Sequence, residues 1–164
     1  MDKLSAKVGR DFSGADLRRI DFRKHYLAGA NMTGANLMGA DLRGMDLSDT
    51  CLADANLTGA RLEGANLKYT IFNNTNMRGA NLRKSDLRGA KILNSSLSGA
   101  CLREAKLEQA WIANTSVLYA DFTGARMDYL GLCNNSDGAI GLIDINAYAH
   151  DHADEYDYHY DHAS

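Results

Sequence analysis

Four of the five histidines lie in the last fifteen residues, at His150, His152, His159 and His162, interleaved with Asp151, Asp154, Glu155, Asp157 and Asp161. Imidazole and carboxylate together are donors for Zn²⁺, Ni²⁺ or Cu²⁺. His150-Asp151-His152 is the first place to seek a metal, yet no spacing in the stretch matches a defined site. The low-complexity composition reads more readily as a disordered, solubilising acidic tail. Cys51, Cys101 and Cys133 are odd in number and show no CxxC spacing, which points to a reduced compartment. There is no GxSxG, no phosphate-binding glycine loop and no HExxH. No cofactor is expected, and nothing in the sequence asks for catalysis.

What positions these residues is a register of five. Every fifth residue from Phe12 to Leu132 is large and apolar, and all four phenylalanines fall in it. Two residues before each stands a small one, usually Ala, Ser or Thr; the exceptions are Ile20, His25, Met45 and Leu130. The residue between the two registers is often Asp or Asn, and the residue two after the large one is often Gly. A helical stripe needs spacings of three and four, and a strand needs two. A period of five instead predicts a chain that turns a corner in each unit, with two residues inward and three outward. Four such sides make a coil of 20 residues, and stacked coils would lie about 4.8 Å apart. The repeating glycine suits corners that other residues resist. With no proline in the chain, every backbone N–H is available to pair with a neighbouring coil.

The runs AGANMTGANLMGADLRG (28–44) and ADANLTGARLEGANL (53–67) resemble the pentapeptide-repeat proteins, whose signature is A(D/N)LXX. The resemblance implies an all-β fold, a right-handed quadrilateral β-helix of about six coils, with a short N-terminal cap and an irregular C-terminal tail. The expected divisions are a cap at 1–11, the β-helix at 12–133, a cap or edge segment at 134–148 and the acidic, His-rich tail at 149–164. The resemblance also implies a non-catalytic scaffold of cyanobacterial or other bacterial kind. The best understood members of the family protect DNA gyrase and topoisomerase IV, as dimers that mimic DNA. This chain departs from them: its acids are grouped in a tail, and it has neither loop insertions nor a long amphipathic C-terminal helix.

Residues 20 apart should form columns on the outer faces. One face carries a basic ladder of Arg23, Lys24, Arg43, Arg61, Arg83, Lys84 and Arg103, interleaved with Asp21, Asp41, Glu63, Glu104 and Asp121. It reads either as a surface for an acidic partner or as a solvated, salt-bridged face. A second region gathers Tyr69, Ile71, Leu93, Trp111 and Tyr129 at outward positions. Outward apolar residues in one place suggest a covered patch, whether by a second copy, another protein or the C-terminal segment. Cys51 and Cys101 fall on opposite faces, too far apart to bridge.

Charge divides the chain. Residues 1–135 hold all 18 Lys and Arg against 14 acids, whereas the remaining residues hold 7 acids and no Lys or Arg. No stretch approaches the length of a membrane span, and the N-terminus lacks the apolar core of a signal peptide. The expectation is therefore a cytoplasmic protein, by default, with no membrane association and no direct nucleic-acid binding. It would act as a protein-interaction or structural scaffold whose partner the sequence does not name. A homodimer is compatible with the reading, topoisomerase protection is the disfavoured alternative, and metal binding by the tail is the third.

Overall fold

The computed structural model describes residues 10–127 and the backbone of 132 and 133. Within them the chain winds in coils of 20 residues, each resting on the one before through parallel pairing. Bridges run Asn31 to Cys51 to Ile71, Asn36 to Asn56 to Asn76, Asp41 to Arg61 to Asn81, and Asp46 to Asn66 to Asp86. These four columns define four faces. Face A is centred on Phe12 through Ile112, face B on Leu17 through Val117, face C on Phe22 through Phe122, and face D on Leu27 through Met127.

The unit Asn56–Ala60 shows why this sequence adopts this path, because each of its five N–H groups has an acceptor. Asn56 N–H donates to Ala35 of the coil before at 3.0 Å. Leu57 and Gly59 donate to Asn76 and Arg78 of the coil after, at 2.7 and 2.9 Å, and Ala60 closes the turn on Leu57 at 2.9 Å. The remaining N–H, that of Thr58, is accepted by the Asn56 side chain at 3.1 Å. That bond explains the Asp or Asn of the repeat: its carboxyl or amide oxygen takes the one donor that neither neighbouring coil reaches. The same bond recurs from Arg18 to Asp16, Thr33 to Asn31, Arg43 to Asp41, Arg88 to Asp86 and Thr123 to Asp121.

The large apolar register fills the lumen. Every member from Phe12 to Phe122 is buried, and the small-residue layer packs beside it. Where that layer is polar, hydroxyls are bonded internally. Thr75 Oγ1 donates to the Leu52 carbonyl at 2.7 Å, Ser95 Oγ to Phe72 at 2.8 Å and Thr115 Oγ1 to Ile92 at 3.0 Å. In exchange, Ser95 Oγ accepts the Thr75 N–H and Thr115 Oγ1 accepts the Ser95 N–H. These three units, each ending Asn-Ser/Thr, carry the three-residue strands of face A: β1 (Ile71–Asn73), β2 (Lys91–Leu93) and β4 (Trp111–Ala113). They pair in parallel and in register, and β6 (Leu132–Cys133) adds to β4. On face D, β3 (Lys106–Leu107) pairs with β5 (Arg126–Met127).

The first coil departs from the pattern, as Ile20 and His25 foretell. A 3-10 turn at Phe22–Lys24, capped by Asp21, replaces a regular side, and bridging on faces C and D begins only at Asp41 and Asp46. Pairing on face A starts earlier than the cap boundary expected from sequence: Arg10 O accepts from Asn31 and Asp11 bridges to Asn31. The rest of the expected cap, and the segments 134–148 and 149–164, lie outside the described residues.

From Gly29 to Gly124 the corner position has positive φ, as at Gly64 (67°), and ten non-glycine residues adopt it too, among them Tyr119 (58°). An L-residue there costs roughly 1–2 kcal/mol, more than the about 0.5–1 kcal/mol of extra chain entropy a glycine loses on folding. Tyr119 is 71% exposed, so little packing offsets the strain. Tyr119→Gly should therefore raise stability by about 0.5–1 kcal/mol, read as a higher urea midpoint at unchanged slope.

Candidate interaction surface

Face A gathers the apolar residues. Ile71, Lys91 and Trp111 are Cα partners on successive coils, and Cys51 precedes them in the same column. Ile71 is 41% and Trp111 53% exposed. Adjacent coils lie about 4.8 Å apart, so the two apolar side chains flank Lys91. Leu93 sits on the same strand as Lys91 but is only half-buried rather than projecting freely. Tyr69 lies across the corner from Ile71 at φ 57°, exposed, with its ring laid over Gly89 of the next coil. A Cβ at Gly89 would come within 2.5 Å of two ring carbons, so only glycine gives this ring its bed. Tyr129 and the four tail histidines fall outside the described residues. Leu118 and Tyr119 are also exposed, on face B and at its far corner.

Face C carries the basic ladder, and its charges are matched. Asp41 binds Arg43 through both carboxylate oxygens at 2.8 and 2.7 Å and reaches Arg61 at 3.4 Å. Arg83 contacts Glu63 at 3.5 Å and Glu104 at 2.9 Å, Lys84 contacts Glu104, and Arg103 contacts Asp121. Arg23 forks onto Asp21, whose carboxylate Lys24 also stabilises. The salt-bridged reading of this face is the one the geometry favours.

An Asp with Arg two residues on recurs on three faces, at Asp16–Arg18, Asp21–Arg23, Asp41–Arg43 and Asp86–Arg88. In each, the guanidinium hydrogen-bonds the carboxylate and holds its pKa at about 2, below the ordinary 3.8. A depressed folded pKa stabilises the fold above the unfolded value, and that contribution is lost as pH falls through the folded value. The urea midpoint should therefore hold steady down to about pH 5 and fall chiefly between about pH 4 and 2. Asp41→Asn keeps the oxygen that accepts the Arg43 N–H and removes only exposed ion pairs. It should leave the urea midpoint at neutral pH nearly unchanged.

Among the described residues no group of His, Cys, Asp and Glu is arranged to hold a metal. Cys51 and Cys101 are free thiols on opposite faces. No helix among the described residues is long and apolar enough to cross a membrane.

The profile of the pentapeptide repeats matches in eight copies, over residues 11–44, 46–83 and 70–109. The chain belongs to the pentapeptide-repeat family. No curated relative matches it. Among solved pentapeptide-repeat structures, it superposes on a trypsin-treated variant of QnrB1, a plasmid-mediated fluoroquinolone resistance protein. The TM-score is 0.57 at 25% identity, over 66% of this chain and 61% of that one. A second trypsin-treated QnrB1 variant gives 0.56 at 22% identity, over 73% and 66%. Rfr23, from the cyanobacterium Cyanothece 51142, gives 0.49 at 23% identity, over 68% and 63%. The chain thus spans less than two thirds of the length of Rfr23 and of the first QnrB1 variant. The two QnrB1 likenesses bear out the pentapeptide-repeat β-helix.

Proposed function

We propose that this pentapeptide-repeat protein is a right-handed solenoid of about six coils that acts without catalysis, as a scaffold contacting another protein through face A. The observation that carries the reading is the column of Ile71 and Trp111, exposed on a flat stack of paired strands. Tyr69 stands beside it at a corner where glycine would be less strained. A rigid face offering Trp111 and Tyr69 beside Ile71 has the aromatic enrichment of an interface centre. The lumen from Phe12 to Phe122 is filled by apolar side chains and leaves no room for a substrate between them. Affinity capture from the native cell with the intact chain, followed by mass spectrometry, tests the proposal. The partner recovered by the wild type should be lost with Trp111→Ala, and a partner retained unchanged by that variant would refute it.

The likeness to QnrB1 favours a second reading, protection of a type II topoisomerase. Against it, the 20-residue register runs unbroken from Asp11 to Arg126, leaving no inserted loop between described coils. A gyrase supercoiling assay with quinolone separates the readings: the scaffold proposal predicts no relief of inhibition at micromolar protein.

A further inference from the structure

The apolar column of face A raises the question of what covers it, and the course of the chain supplies an occupant. The strand β6 lies on face A itself, one coil beyond Trp111, with Cys133 paired to Ala113. The 31 residues that follow Cys133 therefore set out from the rim of that face. From Cys133 back to Asn73, beside Ile71, is three coils, or about 14 Å. The intervening residues 134–148 span up to about 50 Å when extended, so residues 149–164 are within reach of the whole column.

The chemistry of the two surfaces is matched. Residues 149–164 hold Asp151, Asp154, Glu155, Asp157 and Asp161 and no Lys or Arg. The outward positions of face A from Cys51 to Ala113 hold one acid, Asp54, whose carboxylate accepts from the Asn74 side chain at 3.3 Å, and one cation, Lys91. Among the described residues Lys91 has no ion pair, unlike the cations of face C. The sequence Tyr156-Asp157-Tyr158-His159-Tyr160 also alternates aromatic and polar residues with the period of an extended chain. Laid along a stack of strands, such a segment offers three tyrosines to one side and keeps its polar side chains on the other.

We infer that face A is the seat of the chain's own acidic C-terminal segment, with Tyr156, Tyr158 and Tyr160 against Ile71, Trp111 and Tyr69, and the flanking acids around Lys91. The inference rests on the proposed role of face A and adds its regulation: an external partner has to displace the segment before it binds.

Trp111 is the only tryptophan, so its fluorescence reports the seat directly in the full-length protein. The comparison is between wild type and a full-length variant carrying Tyr156→Ser, Tyr158→Ser and Tyr160→Ser, with Lys91→Glu as an independent second variant. Uncovering a ring that is otherwise screened should raise the acrylamide quenching slope roughly twofold and shift the emission to the red in both. Identical quenching and emission in wild type and both variants would overturn the inference. So would wild-type protection that disappears on dilution while sedimentation falls from dimer to monomer, because a second copy would then be the cover. Partner capture is measured separately on the same proteins. If the tyrosine variant exposes Trp111 yet binds nothing, the proposed function fails and the seat stands. If capture needs Trp111 while quenching ignores the tail substitutions, the seat fails and the function stands.

Discussion

Phe72→Ala lowers the free energy of unfolding by about 3–5 kcal/mol, one of the largest effects expected of a single truncation among the described residues. Phe72 has no exposure to solvent, and its coil contributes only one large side chain per face to the lumen. Its neighbours along the column, Leu52 and Ile92, are fixed by backbone pairing on both sides. They cannot slide inward to fill the space the ring leaves, so the cavity persists and its cost is added to the lost transfer free energy. Because each coil touches only its neighbours, the damage is also local in origin. A urea titration should show a lower midpoint, and a shallower slope if the coils on either side of the defect unfold separately. Ile71, one residue earlier, points outward and is 41% exposed. Its alanine variant should stay within about 1 kcal/mol of wild type, so the pair measures how sharply inside and outside alternate.

Trp111→Ala gives the opposite profile. Stability of the stacked coils should move by less than about 0.5 kcal/mol, because the ring lies outside the lumen. Binding to the partner captured through face A should weaken by about 2 kcal/mol or more, roughly 30-fold, as expected of a tryptophan at an interface centre. Titration of purified partner with each protein reads the difference. A variant that is destabilised and binds normally would show that Trp111 serves the fold rather than the contact.

The division between these two residues also marks how far the sequence could be read. The five-residue register named every lumen residue from Phe12 to Phe122 in advance, because burial at one position per side leaves no freedom of phase. The coil of 20 followed from four sides of five, and the bridges from Asn31 to Cys51 to Ile71 have that spacing. The Asp or Asn of the repeat was visible as a pattern, but its reason was not. Only the backbone path reveals that the N–H of the residue two further on, as at Thr58, has no other acceptor. The Asn-Thr or Asn-Ser ends of the units at 71–75, 91–95 and 111–115 were likewise legible as letters. Their role, exchanging a turn bond for a hydroxyl ladder through Ser95, depends on three coils stacking the same variant. On the outside, the column of Ile71 and Trp111 was predictable because columns repeat every 20 residues. The neutralisation of the basic ladder was less so, since which acid reaches Arg83 depends on rotamers and on Glu104 of the coil above. Leu93 was placed on the right face, but its half-burial was not foreseen. Periodicity specifies direction, not how far neighbours cover a side chain.

Core and face alike rest on residues 20 apart being neighbours. Cys51 is the parallel bridge partner of Ile71, and that pairing can be trapped. In Ile71→Cys, a thiol-specific cross-linker about 5 Å long, matching the spacing of paired strands, should join Cys51 to the new thiol within one molecule. Peptide mass spectrometry of the folded protein would identify the link. Arg78→Cys, on face B, should give no link to Cys51. Comparable linking of Cys51 in both variants, or linking of the residue 71 thiol to Cys101 in preference to Cys51, would contradict the stacked coil.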